Sequence, residues 1–348
     1  MGGLLKGLHK GLIKNRTMFR NHPPIGVCDR PCFFIIGPPR AGTTMVRLML
    51  NSHPEIAVPA ETWFFPPVLL QSRPFGDFSQ PEQVSAFART VAGSTAESLR
   101  PVSQVFGVSA EELAEAVGAA GARSYAAAFW TFMDLLARRE GKRLWGEKTP
   151  YYSAWLSQLG RAYPNARFLA IVRDPRDVVA SLHDVGWGRG TYPTLADGGL
   201  RWRYAMDAIE RSRPLLGDRL KTVRYEELVV EPERGARDLC EFLGVGFQPE
   251  MLSFHETAER AMPPGVDAWH SRVKQPINAS RVGLWRQRYS PEDAGMIELA
   301  AGPSTMAAWG YAPEGRARTP RNFGRLAQWH LRSAFGRVPW IPVARPVG

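Results

Sequence analysis

A chain of 348 residues, 44% hydrophobic and 22% charged, has the composition of an ordinary globular protein and the length of one large α/β domain or two modest ones. No apolar run approaches the ~20 residues needed to span a bilayer, and three cysteines, an odd count without a second ligand pair at metal spacing, argue against a disulfide framework or a metal module. The net charge of +11 sits at the ends: residues 1–20 carry five basic residues and no acid, residues 316–348 carry seven arginines and no acid, and residues 21–315 come to −1, which argues against a nucleic-acid-binding body.

The expected organisation is therefore a basic segment at 1–20, a body at 21–315 and a basic tail at 316–348. Leu4, Leu8 and Leu12 repeat on a period of four, with Lys6, Lys10 and Lys14 offset by two. On a helix this separates an apolar from a cationic face, as in a segment lying on an anionic membrane surface. The bland alternative is a tail that packs on the body. The N-terminus lacks a signal peptide's uninterrupted apolar core. A cytoplasmic protein, peripheral on the inner face of the membrane, with Cys28, Cys32 and Cys240 reduced, is the expectation.

Along the body, Phe33–Ile36 is a short apolar run suited to a buried strand, broken by Gly37-Pro38-Pro39 and followed by a helix over 43–52. Prolines make 53–63 a loop. Helices are expected over 80–91, 110–117 and 124–139. Ser79 with Glu82, and Ser109 with Glu112, read as capping boxes for the first two. A short extended piece at 145–149 precedes a helix over 152–163. Arg167–Arg173 is a second buried strand, and Asp174-Pro175 starts a helix to about His183. A glycine-rich loop spans 186–199, then a helix runs over 200–212, a third strand over 220–225 and helices over 232–243 and 291–300. Residues 262–284 are irregular. Strands alternating with helices predict a P-loop-like, three-layer α/β fold with a central, mainly parallel sheet flanked by helices.

Two constellations carry chemistry. In Gly37-Pro38-Pro39-Arg40-Ala41-Gly42-Thr43-Thr44 the glycines sit five apart, as in a nucleotide-binding P-loop, but Thr43 stands where the lysine belongs and the cation is Arg40. Strand, glycine-bearing loop and helix N-terminus form an anion site, to which Arg40 adds a forked cation and Thr43 and Thr44 add hydroxyls. The second is Arg173 at a strand end with Ser181 two turns along the next helix, a pair able to grip a phosphate. Arg173 could equally bridge to Asp174 or Asp177.

Together these motifs resemble the PAPS-dependent sulfotransferases, over roughly residues 33–300. The stretch 38–44 is similar to their 5′-phosphosulfate loop, and Val172–Leu182 to their 3′-phosphate motif. The resemblance looks closer to the tyrosylprotein and carbohydrate branches than to the cytosolic phenol and steroid branch. It implies 3′-phosphoadenosine 5′-phosphosulfate (PAPS) as co-substrate, PAP as product and no metal, with 21–315 as the sulfotransferase domain. Arg40, Ala41, Gly42, Thr43 and Thr44 would hold the 5′ group, and Arg173 and Ser181 the 3′-phosphate. Lys148 would be a cation on the transferring group. Tyr225 resembles a strand end near the cofactor; Lys274, Ser280 and Arg281 fall in a stretch similar to the family's loop over the 3′-phosphate.

Two glutamates compete for the base. Glu61-Thr62 tracks the tyrosylprotein enzymes, and Glu147-Lys148-Thr149 is similar to a Glu-Lys-Ser stretch of heparan N-sulfotransferases. Glu61 is favoured. The activity implied is sulfuryl transfer to a hydroxyl or amine of a carbohydrate, lipid, peptide or other small acceptor. Trp63, Phe64, Phe65, Trp187 and Trp202 are candidates to line its pocket, or core. The rivals are a P-loop kinase, disfavoured by the missing lysine, and a membrane-associated nucleotide-binding protein without turnover.

Overall fold

The structure is a computed structural model that describes residues 25–62, 78–94, 100–186, 194–263 and 271–316, with a few more between 319 and 327. Its centre is a five-stranded sheet: β1 (Phe33–Ile36), β2 (Ile56–Ala57), β3 (Leu144–Lys148), β4 (Arg167–Val172) and β5 (Leu220–Arg224). The spatial order is β2-β3-β1-β4-β5, and every pairing is parallel. A parallel sheet is covered on both faces, so its inner strands read as continuous apolar runs. All four residues of β1 are buried, and so is β4 after Arg167.

The helices that matter here are α1 (Thr43–Asn51), α2 (Pro81–Gly93), α3 (Ala110–Ala119), α4 (Tyr125–Arg139), α5 (Leu156–Ala162), α6 (Pro175–Asp184), α7 (Leu195–Leu216), α8 (Tyr225–Val230), α9 (Pro232–Leu243) and α10 (Pro291–Ala301). α4 packs on β2 and β3, while the long α7 packs on α5, α6 and α10. Around Trp145 of β3, Phe34, Phe129 and Trp130 stand edge-on, with ring centroids 6.0, 6.0 and 6.2 Å away. Each such fully buried aromatic contributes roughly 1.5–3 kcal/mol by leaving water. Cys28, Cys32 and Cys240 are buried free thiols.

Several expectations are corrected in detail. The 53–63 loop contains the edge strand β2. The helix expected over 152–163 opens as a 3₁₀ turn, Pro150–Trp155, before α5 begins. Ser79 does not cap α2: Pro81 occupies the first helical position, which makes Gln80 the cap. Ser109 does cap α3, accepting from Glu112 N at 3.1 Å. Tyr225 is the first residue of α8 rather than the last of a strand.

The largest correction is α7, which starts at Leu195, inside the glycine-rich stretch expected to be loop. A reciprocal capping box starts it: Thr194 Oγ accepts from Asp197 N, and Asp197 accepts from Thr194 N. Gly198 and Gly199 act as close-packing residues here, not as breakers. A Cβ on Gly198 would lie 2.6 Å from Val179 of α6, and one on Gly199 2.7 Å from the carbonyl of Ile297 in α10.

The chain continues to touch the body past residue 315. Arg316 N donates to Pro291 O, and the buried Asn322 donates to Glu292 O and Arg316 O. The Leu4/Leu8/Leu12 face lies outside the described residues, as do Trp63, Phe64, Phe65 and Trp187. Among the described residues no helix is long and apolar enough to cross a membrane.

Candidate active site

Because all strands run the same way, their C-terminal ends share one edge, where open α/β sheets bind ligands. That edge carries the 37–42 loop after β1, Lys148 at the end of β3, Arg173 after β4 and Tyr225 after β5. The loop is tightly wound. Ala41 N bonds Pro38 O at 3.1 Å, and Ser153 Oγ takes Gly37 N at 3.1 Å. Arg40 has a φ of +70°, the only positive φ among the described non-glycine residues, and Gly42 caps α1 at φ +105°. Left-handed backbone at Arg40 costs of order 1–3 kcal/mol. Gly42 can carry no side chain for a second reason: a Cβ would lie 2.6 Å from the Tyr225 ring. The first-turn N–H groups of α1 have no intrahelical acceptor, so the mouth of the loop favours an anion.

Two clusters flank this loop. On the β3 side, Lys148 is fully buried, ion-paired to Glu61 and donating to Thr44 Oγ1 at 3.2 Å. One residue earlier, Glu147 is 1% exposed. Its Oε1 accepts from Thr149 Oγ1 at 2.7 Å, Thr62 Oγ1 at 3.0 Å and Thr62 N at 3.4 Å. Its Oε2 is buried with no partner among the described residues. Burial pushes the Glu147 carboxyl up to about 7, against the hydrogen bonds from Thr149 and Thr62, which hold it down, and with a smaller push from the charge of Glu61.

On the β4 side, Arg173 is 6% exposed. It donates to Arg40 O at 3.2 Å and Arg281 O at 2.9 Å, and lies 4.2 Å over the Tyr225 ring. Its own carbonyl takes the indole N–H of Trp202, so Trp202, wholly buried, is core and a support for Arg173, not a pocket wall. The two aspartates that could have taken Arg173 are otherwise occupied. Asp174 caps α6 and pairs with Arg176. Asp177 accepts from Gly283 N at 2.8 Å and Trp285 N at 2.9 Å, fastening the 283–285 turn onto α6.

The expected residues are thus largely brought together, with one unforeseen link: Arg40 Nε reaches Ser181 Oγ at 3.2 Å, joining the 37–44 loop to the helix after β4. Arg281 contributes its carbonyl to Arg173, while its guanidinium pairs with Asp184. Lys274 and Ser280 are exposed; Lys274 pairs with Glu259, and Ser280 bonds Asn278. The sequence reading missed Thr62 as a partner of Glu147. It also missed Glu226, which accepts from Asp174 N and from the Tyr311 hydroxyl and so sets the start of α6. Thr62 stands beside Glu61 in the stretch already singled out, but its bond to Glu147 spans 85 residues, and Glu226 lies 52 residues from Asp174, so only the folded contacts reveal these pairings.

The model of the sulfotransferase family matches residues 31–249, well over half of the chain, and the protein belongs to that family. It is 26% identical over 334 residues to protein-tyrosine sulfotransferase 1 of Danio rerio, covering 92% of this chain and 82% of the relative. With protein-tyrosine sulfotransferase 1 of Homo sapiens it shares 27% over 310 residues, 85% of this chain and 73% of the relative. Its fold is similar to that of the sulfotransferase domain from the Synechococcus PCC 7002 olefin synthase, with a TM-score of 0.57 and 22% identity, covering 84% of this chain and 98% of that one. The sulfotransferase domain from the curacin biosynthetic pathway is similar too, with a TM-score of 0.59 and 21% identity, covering 82% and 100%. The protein is an enzyme, a PAPS-dependent sulfotransferase, similar in sequence to the tyrosylprotein members of the family.

Proposed function

We propose that the enzyme moves the sulfuryl group of PAPS to an acceptor hydroxyl, with Glu61 as general base, and that it stands closer to the tyrosylprotein and carbohydrate branches than to the phenol and steroid branch. The observation that carries this reading is Lys148, which bonds both Glu61 and Thr44. One buried cation thereby joins the candidate base to the helix that opens on the phosphosulfate loop. Glu61 takes the acceptor proton as the acceptor oxygen bonds to sulfur. The sulfur–oxygen bond to the 5′-phosphate breaks, and Arg40 and Lys148 stabilise the charge that stays on PAP. Arg173 and Ser181 hold the 3′-phosphate. Arg173 Nε supports this assignment, being a buried donor with no partner among the described residues that a phosphate oxygen would satisfy.

Glu147 is the weaker base candidate. Three donors converge on one of its oxygens, and it is more deeply buried than Glu61, which is 8% exposed. Its place in this reading is to hold Thr62, the neighbour of Glu61. The kinase rival is disfavoured by Thr43 in the P-loop lysine position. Transfer from sulfur-35-labelled PAPS, screened over tyrosyl peptides, glycans, lipids and phenols, tests the assignment and identifies the acceptor. Phosphoryl transfer from ATP with none from PAPS would overturn it.

The basic ends, 1–20 and 316–348, are assigned to an anionic membrane surface at the cytoplasmic face, where a lipid or lipid-linked glycan acceptor is presented. Their charge supports this, as does Phe323, 52% exposed at the start of the second of them.

A further inference from the structure

α1 is apolar along Val46, Leu48, Met49 and Leu50, yet Arg47 is buried among them, 1% exposed. Burying a guanidinium costs several kcal/mol before its partners are counted, and a leucine or methionine would fill the same space without that cost. The partners of Arg47 are therefore informative. Nε donates to Val58 O at 3.1 Å and Pro59 O at 2.9 Å, while Nη1 reaches Met262 Sδ at 3.2 Å and Nη2 the carbonyl of Ala261. One turn further along the same helix, Asn51 Oδ1 accepts from Val58 N at 2.8 Å. Both backbone groups of Val58 are thus held by α1, three residues before Glu61. On the far side of Glu61, Thr62 is held by Glu147. Glu61 is bracketed, and one of its two brackets belongs to the helix that starts at the phosphosulfate loop. Thr44 and Arg47, three residues apart, lie on one helix face. Through Thr44 that face meets Lys148, and through Arg47 it meets the loop bearing Glu61.

We propose that Arg47 is a positioning residue for sulfuryl transfer: it holds the Glu61 loop in register with α1 and Lys148, and ties that loop to the Ala258–Met262 segment. The inference rests on the assignment of Glu61 as base. Its action is on rate, because a displacement of about 1 Å between reacting groups costs on the order of 100-fold. The grip on PAP comes from other residues.

The test compares Arg47→Met and Arg47→Lys in the full-length enzyme, each in the wild-type and the Glu61→Gln background. It measures kcat for transfer from labelled PAPS to the best acceptor of the screen, PAP affinity by calorimetry and the melting temperature. The expected result is a kcat loss of roughly 10- to 100-fold for Arg47→Met, partly recovered in Arg47→Lys, with the Kd for PAP kept within about 3-fold of wild type. In the Glu61→Gln background neither change should lower kcat further, since the group being positioned is gone. Should Arg47→Met fail to fold, Asn51→Ala loosens the same hold on Val58 and should show a smaller loss with the same dependence on Glu61. Parallel losses in kcat and PAP affinity, or equal kcat losses in both backgrounds, would overturn the positioning role alone. Full activity of Glu61→Gln would overturn the base assignment and, with it, the target of Arg47.

Discussion

The two ends of the site are built differently. At the β4 end, Arg173, Asp174, Asp177 and Ser181 come from one strand-to-helix junction, and the structure adds carbonyls of Arg40 and Arg281 as props. At the β3 end, Glu61, Thr62, Glu147, Lys148 and Thr44 come from three separate stretches and meet in a buried cluster. The first arrangement suits affinity: a local, preformed cation grip on a phosphate. The second suits rate, since a base and a cation must be placed against each other within fractions of an ångström. Substitutions at the two ends should therefore separate binding from turnover, and failure to separate them would break the comparison.

The largest effect is expected at the β3 end. Glu61→Gln should lower kcat by at least ~100-fold, the lower range for losing a general base, with PAP affinity unchanged by calorimetry. If PAP affinity falls as much as kcat, Glu61 belongs to the binding end instead.

Next comes Arg173→Gln, expected to weaken PAP binding by about 1.5–3 kcal/mol for each charged hydrogen bond lost. Adenosine 5′-phosphosulfate, which lacks the 3′-phosphate, should bind the variant and the wild type alike. Equal losses for the two ligands would make Arg173 a structural residue holding the Arg40 and Arg281 carbonyls.

Glu147 sharpens the comparison through pH. Burial raises its carboxyl from 4.5 to about 7 in the folded protein. Between those values the native state keeps a proton that the unfolded chain has released, so stability falls as pH rises through that window and levels off above it. Glu147→Gln should flatten this part of the profile, an effect of roughly a few kcal/mol by the linkage between pKa and stability. Thermal melts from pH 4.5 to 8 check it, and an unchanged slope would place the titrating group elsewhere.

The smallest effect concerns the basic ends of the chain. Lys10→Gln should weaken flotation with anionic liposomes by about 1 kcal/mol at low salt, with transfer to a soluble acceptor untouched. Equal flotation of variant and wild type would remove the N-terminal segment from the membrane reading.

What the sequence determined by itself is local. The apolar runs of β1 and β4, the anion-binding loop with Arg40 in place of a lysine, and the Arg173–Ser181 interval are each contained within about a dozen residues. Backbone geometry turns such intervals into fixed spatial relations, so the fold class and the meeting of the Arg40 loop with Arg173 and Ser181 at one sheet edge were legible. The Ser79 cap and the last residues of the expected loop, 195–199, were misread because Pro81 and the packing of Gly198 and Gly199 overrode the local signals. The tertiary structure alone decided the long-range pairings, those of the β3 end above all. Lys148 meets Glu61 across 87 residues, Arg40 meets Ser181 across 141, and Arg47 meets Met262 across 215. Such pairings depend on strand order and on which loop crosses which helix, and no local propensity or spacing encodes them. They also show the different surroundings of the two glutamates: three donors converge on the buried Glu147, while Glu61 pairs with Lys148.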